Sequence, residues 1–287
     1  MALFKQVTIV GLGLIGGSLG MALRRRRLAK TVVGLSRTAR GLRRAARCGA
    51  IDAGTTDPKR AVEGADLVVL ALPVDCIVPH ARRLSRFMRR GSILTDVGST
   101  KRRIVSALQG RLPSGVAFIG VHPLAGSERR GIEHARADLF EDSLCVVTAT
   151  GRTDRKALAR VVGLWKPLVR GVLVMDPARH DRWLAAVSHL PHLVAFCLVE
   201  AADQGARAIA PRSFLEATRV AKSDPDLWDD ILLSNRTALL ASMARFEQRW
   251  KRAKRLLARH DARALRHFLR HASILRQALE DSRDHHH

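Results

Sequence analysis

The sequence contains no tyrosine, and aromatic residues make up only 4% of its 287 positions. Proteins that hold single-stranded nucleic acid stack bases on aromatic platforms, so that function has little to rest on here. Cysteine is also scarce. Cys48, Cys76, Cys145 and Cys197 lie far apart and form no C-x-x-C pair. This spacing excludes a small disulfide scaffold and the familiar zinc clusters; buried free thiols in a reducing cytoplasm and no bound metal are expected. The most apolar stretch, 183–202, is interrupted by Ser188, His189, Pro191 and His192. A membrane span would not carry those groups without partners, so a core helix and no membrane association are expected. There is no internal repeat or low-complexity linker. The N-terminus runs directly into the strand-like VTIVGLG, so no signal peptide is expected, and the histidines at 285–287 read as a tag remnant.

What the chain has in excess is positive charge. Lys and Arg number 50 against 26 Asp and Glu, a formal +24, and only 9 of the 50 are lysine. Such a surplus raises nucleic acid, anionic membranes and acidic small molecules as partners. The arginines are scattered along the chain rather than gathered in a tail, which argues against nucleic acid. The basic run 245–276 reads as a solvated helix face. A nucleic-acid or anion-binding protein on a nucleotide-binding scaffold stands as the alternative from a different class. With 47% apolar and 26% charged residues the chain is globular, and its length suits two modest domains.

Short β-branched runs alternate with amphipathic stretches in the first half, the pattern of βαβ units and a mainly parallel sheet. Strands are expected at 7–10, 31–35, 67–71, 93–97, 117–120, 144–148 and 171–175, with a helix over 154–168. Strand signals then stop. Asp176-Pro177 supplies an N-cap followed by proline at the first helical position, and the rest is helix-forming. The expected architecture is an α/β Rossmann-type nucleotide-binding domain over residues 1–175, followed by an all-α domain over 176–284.

Directly after the first strand comes Gly11-Leu12-Gly13-Leu14-Ile15-Gly16, leading into a helix. One glycine makes the tight turn, the next lets backbone approach a pyrophosphate, and the third lets helix and strand pack closely. With Leu14 and Ile15 at the helix start, this is the expected dinucleotide cradle. About 20 residues past the last glycine, enzymes that use NAD place an acid on the ribose hydroxyls. Here Ser36 stands there, followed by Arg37, Thr38 and Arg40. No carboxylate repels a 2′-phosphate and guanidiniums stand ready to pair with it, so NADP is expected, with NAD as second choice.

Two further segments fall at strand ends facing the cofactor: DVGSTK from Asp96 and HPLAGSE from His122. A histidine placed there can act as a general base near neutral pH. The helical half adds VSHLPH, in which Ser188 and His192 share a helix face, and TRVAKSDPDLW from Thr218 to Trp228. With GLGLIGGSL, these segments resemble, in order and spacing, the prephenate/arogenate dehydrogenase family of tyrosine biosynthesis, over nearly the whole chain. The resemblance implies a helical domain that forms a homodimer. It implies oxidative decarboxylation of prephenate to 4-hydroxyphenylpyruvate, with arogenate dehydrogenase or a dual-specificity cyclohexadienyl dehydrogenase as alternatives.

By the same resemblance His122 is the catalytic histidine, and Ser99 orients it and the nicotinamide. Arg219 holds a substrate carboxylate, and Ser188, His192, Ser127 and Glu128 line the substrate site. Trp228 corresponds to a tryptophan that reaches the neighbouring subunit's site. His189 is left between packing and ligand roles. Glu128 could face the side chain by which prephenate and arogenate differ. A β-hydroxyacid-type dehydrogenase is the nearest rival, but the lysine those enzymes carry early in the helical domain has no counterpart between Asp176 and Arg212. No separate regulatory domain is expected after the helices.

Overall fold

The alternating runs of the first 175 residues form one eight-stranded sheet in a computed structural model that describes residues 2–126 and 129–284. The strands are β1 (Phe4–Val10), β2 (Ala29–Leu35), β3 (Ala53–Thr55), β4 (Leu67–Leu70), β5 (Ile93–Asp96), β6 (Ala117–Pro123), β7 (Leu144–Thr148) and β8 (Gly171–Met175). Their spatial order is β3-β2-β1-β4-β5-β6-β7-β8. The first six run parallel; β7 is antiparallel to β6, and β8 parallel to β7. The seven expected strands all form. The short β3 was not anticipated, because Ala-Gly-Thr carries no strand pattern and forms an edge only by pairing with Val33–Leu35.

Helices cover both faces of the sheet: α1 (Leu14–Arg25), α2 (Ala39–Arg47), α3 (Pro58–Val62), α4 (Val74–Leu84), α5 (Arg102–Leu108) and α6 (Arg155–Trp165). Successive strand residues point to opposite faces, and both faces are apolar, as a doubly covered sheet requires. Val7, Ile9, Leu67 and Val69 pack with Leu19, Leu23, Phe140 and Trp165 on one side. Val10, Val68, Leu70 and Leu94 pack with Ile77, Leu84, Ile104 and Leu108 on the other.

After β8 the chain is helical: α7 (Pro177–Leu184), α8 (Leu190–Ala201), α9 (Gln204–Ala208), α10 (Arg212–Ala217), α11 (Pro225–Ser234), α12 (Arg236–Ala258) and α13 (Ala262–Asp284). Asp176 caps α7, accepting from the amides of Ala178 and Arg179 at 2.8 and 3.1 Å. Residues Ala185–His189 join α7 to α8 as a π-turn, so the two form one rod with an extra residue in its middle. Within the chain, packing separates 1–236 from 237–287. The expected boundary at Asp176 coincides with the change from strand-bearing to helical structure, and α7 to α11 lie in the first of these two compact units.

The rod Pro177–Ala201 has a mean hydropathy of 1.6 over its most apolar window, yet only 22% of that window is buried. The expected core helix is therefore not a core helix within this chain.

The glycine turn gives a stability test. A Cβ on Gly16 would lie 1.9 Å from the carbonyl oxygen of Gly11, whereas one on Gly13 would meet nothing within 4 Å. Gly16→Ala should destabilise the fold by about 1–3 kcal/mol, as overpacking does, while Gly13→Ala leaves Tm unchanged. Equal Tm losses in thermal unfolding would contradict this packing.

Candidate active site

The turn after β1 is built to leave room. Gly11 has φ +92, and a Cβ there would come within 2.3 Å of the Ala71 carbonyl oxygen. Gly13 precedes α1 without contributing a capping side chain, so no side chain competes for the amides of the first turn at Leu14, Ile15 and Gly16. Open space over Gly13 and uncapped amides fit a diphosphate. At the end of β2, Ser36 is half-buried and Arg37, Thr38 and Arg40 are exposed. Thr38 serves the fold too: its Oγ1 accepts from Gly41 N at 3.1 Å and caps α2.

His122 is the next-to-last residue of β6, at the same sheet edge as the glycine turn. Its ring does not hang free. His122 Nδ1 lies 2.9 Å from His180 Nε2, and His180 Nδ1 lies 2.8 Å from Asp181 Oδ1. Asp181 also accepts from the backbone amides of Lys101 (2.8 Å) and Arg102 (3.0 Å), at the start of α5. Burial acts to raise its pKa, but the bonds from His180 and the two amides outweigh it and hold the carboxyl below its ordinary value. Asp181 is thus ionised and can only accept. His180 must then carry its proton on Nδ1 and accept at Nε2, which places the His122 proton on Nδ1. The Nε2 of His122 is left as a lone-pair acceptor, with no hydrogen-bond partner among the described residues.

Electrostatics keep that nitrogen unprotonated. Burial holds the His122 pKa well below the ordinary imidazole value of 6.5, and His180, Lys101 and His189 push the same way. Lys101 is fully buried against the equally buried Asp96 at the end of β5. Burial lowers the lysine's pKa and raises the aspartate's, while their mutual attraction opposes both shifts. The pair fixes the turn that carries Ser99: Asp96 Oδ2 also accepts from Gly98 N at 2.9 Å. Ser99 itself is half-buried and forms no hydrogen bond to His122. The His180 ring meets His122 at Nδ1, a contact additional to the role expected of Ser99.

The helical segments bring a second group together. His192 Nδ1 donates to the Ser188 carbonyl at 2.9 Å, and the His192 ring stacks on Trp228 with centroids 3.6 Å apart. Trp228, on α11, thus packs against its own chain's His192 on α8. Asp224 caps α11 and pairs with Arg130 from the loop after β6. Arg219 is exposed and near enough to His192 to lower its pKa, after burial as the larger cause. His189 is a packing residue: it is buried, its pKa is lowered to about 4 by burial, and its Nδ1 accepts from Asn235 Nδ2 at 3.1 Å. The same amide donates to the Asp181 carbonyl at 2.8 Å. Ser127 and Glu128 lie outside the described residues.

Sequence reasoning missed His180, Asp181 and Asn235. His-Asp beside a helix start was a faint signal, and only the fold puts it against a histidine 58 residues earlier. The π-turn matters as well. Its additional residue rotates His189 onto the face of Asp181, which lets one Asn235 amide reach both.

Residues 19–174 match the family model described as the prephenate dehydrogenase nucleotide-binding domain, and residues 176–271 match that of the prephenate dehydrogenase dimerization domain. A cyclohexadienyl dehydrogenase from Zymomonas mobilis is 34% identical over 293 residues, covering 99% of each chain. The crystal structure of prephenate dehydrogenase from A. aeolicus, in complex with hydroxyphenyl propionate and NAD+, superposes with a TM-score of 0.88 at 32% identity. It covers 96% of this chain and 98% of its own. Arogenate dehydrogenase from Synechocystis gives 0.84 at 29%, covering 96% and 99%.

The proton arrangement makes two predictions. With the His122 pKa below 6.5, the acid limb of kcat/KM lies below the ordinary histidine range: activity is full above it and lost as pH falls through the lowered value. Asp181→Asn frees both imidazoles to adopt the wrong tautomer. It should lower kcat by about 10²-fold with KM for the dinucleotide unchanged; normal kcat would remove Asp181 from the relay.

Proposed function

The chain belongs to the prephenate dehydrogenase family, and on that premise we propose that it converts prephenate to 4-hydroxyphenylpyruvate with NADP as hydride acceptor, in the cytoplasm. Membership makes it an NAD(P)-dependent prephenate/cyclohexadienyl dehydrogenase. Prephenate over arogenate and NADP over NAD are our reading. The observation that carries the chemistry is the unpartnered Nε2 of His122 at the sheet edge, backed by His180 and Asp181.

In this reading His122 Nε2 takes the proton of the ring hydroxyl at C4 while the hydride leaves the same carbon. A bound nicotinamide supplies the acceptor for that hydride. The ring carboxylate then departs as CO2, its bonding electrons complete the aromatic ring, and the phenolate oxygen recovers the proton from His122. Aromatisation supplies much of the driving force, so the chain mainly positions groups and moves one proton. The imidazolium formed in between is stabilised through His180 by the ionised Asp181. Arg219 meets a substrate carboxylate, for which a guanidinium fork is suited. Ser188, His192 and Trp228 would wall the same side, and Ser99, on the turn after β5, would help to hold a bound nicotinamide.

The preference for NADP is supported by Arg37 and Arg40, which have no ion-pair partner among the described residues, and by the absence of an acid at the end of β2. Homodimerisation through the helical part is supported by the apolar rod and by exposed Leu198, Ile209 and Leu233. A second copy of the chain would cover what this one leaves bare.

Steady-state rates with prephenate and arogenate, each with NAD and NADP, test the assignment; faster turnover with arogenate or with NAD would reverse the corresponding choice. His122→Asn should lower kcat by roughly 10²–10⁴-fold with the fold intact. Arg219→Ala should raise the KM for prephenate far more than that for NADP, and equal increases would place this arginine elsewhere.

A further inference from the structure

A cavity of about 350 Å³ lies away from the cofactor turn, between α5, the β7–α6 turn and the start of α7. One face of α5 supplies Arg102, Val105, Ser106 and Gln109; Arg111, Thr150 and Arg152 close the far end, and Asp176 to Ala178 close the third side. Because β7 runs antiparallel to β6, Thr150 and Arg152 follow its carboxyl end at the sheet edge opposite Gly11 and His122. The dinucleotide cradle and this cavity are therefore separate places.

The lining carries three guanidinium groups against one carboxylate. Arg102, Arg111 and Arg152 have no ion-pair or side-chain hydrogen-bond partner among the described residues, and Asp176 Oδ1 is committed to capping α7. The wall behind them is ordered. Thr150 Oγ1 donates to Gln109 Oε1 at 2.9 Å, and Gln109 Nε2 donates to Thr153 Oγ1 at 2.6 Å. The volume suits a small metabolite. Arg102 stands at the start of α5, Arg111 just beyond its end and Arg152 on the turn facing it, all three exposed around the cavity, so the lining offers a surplus of guanidinium charge to a dense anion such as a phosphoryl group.

We propose that this cavity binds a small phosphoryl-bearing ligand, and that its occupancy tunes the catalytic relay. The connection is short. Arg102 lines the cavity with its side chain and donates its backbone amide to Asp181, while α7 lines it at Asp176–Ala178 and carries His180 and Asp181 on its next turn. A ligand that draws the starts of α5 and α7 together acts on the carboxylate that holds both histidines. Its effect must arise from unequal affinity for the two arrangements of these helices. The effect on turnover rests on the reading of His122 as the base; the binding does not.

Inorganic pyrophosphate is the probe, titrated calorimetrically into the whole chain at fixed ionic strength. Saturable binding is expected. It should weaken at least tenfold in an Arg111→Ala/Arg152→Ala double variant, and equally in Ser106→Trp, which blocks the cavity without removing charge. It should persist in Arg37→Ala/Arg40→Ala. At saturation kcat or the KM for prephenate should change at least twofold in the wild-type chain and not in the cavity variants. No saturable binding at millimolar pyrophosphate overturns the site. So does binding that the Arg37/Arg40 variant loses and the cavity variants keep, which would assign it to the nucleotide cradle. Cavity-dependent binding without a kinetic change overturns the coupling.

Discussion

One carboxylate holds the catalytic region together. Asp181 accepts from the His180 ring and from the two amides that open α5, so a single side chain joins the helical segment to the sheet and sets the proton positions of two imidazoles. A carboxylate at a helix start is also favoured by the orphan amides and positive end it finds there. Lys101, the residue before α5, contributes no capping side chain of its own. The capping that α5 lacks locally is supplied from 80 residues away, and the catalytic tautomer follows from it.

Burial does the rest of the electrostatic work. The Lys101–Asp96 pair is sealed from water, where its charges are screened least, and it sits within reach of both His122 and His180. A positive charge beside a buried histidine disfavours a second one, which keeps His122 neutral and ready to accept. The ionised Asp181 pulls the other way through His180 and limits the cost once His122 becomes charged. These opposed influences leave a base that is free at neutral pH and tolerable as its conjugate acid.

The arginine surplus divides into parts with different consequences. Several arginines tie the surface together, as Arg24 does with Asp52, Arg26 with Glu141 and Arg44 with Glu133; such exposed pairs contribute little stability. Others have no ion-pair partner among the described residues: Arg37 and Arg40 after β2, and Arg102, Arg111 and Arg152 around the cavity beside α5. The apolar rod Pro177–Ala201 is the complementary case, a surface with too little polarity for its exposure.

The order of strands and helices in the first half, the glycine turn, the position of His122 at a strand end and the change to helix at Asp176 were all legible in the residues. They depend on local rules: period-two and period-3.6 patterning, turn chemistry and capping. The sheet's edge strand β3 and the exposure of the apolar rod were not, because each depends on what packs against what. The site divides in the same way. Residue types and spacing pointed to a histidine at a strand end and to the glycine turn. Only the tertiary structure decided that His180 and Asp181, far along the chain, meet that histidine, and that Trp228 lies on His192 of its own chain. Hydrogen bonds between distant segments have no signature in a linear pattern, since their partners become neighbours only when the sheet and the helical rod have formed.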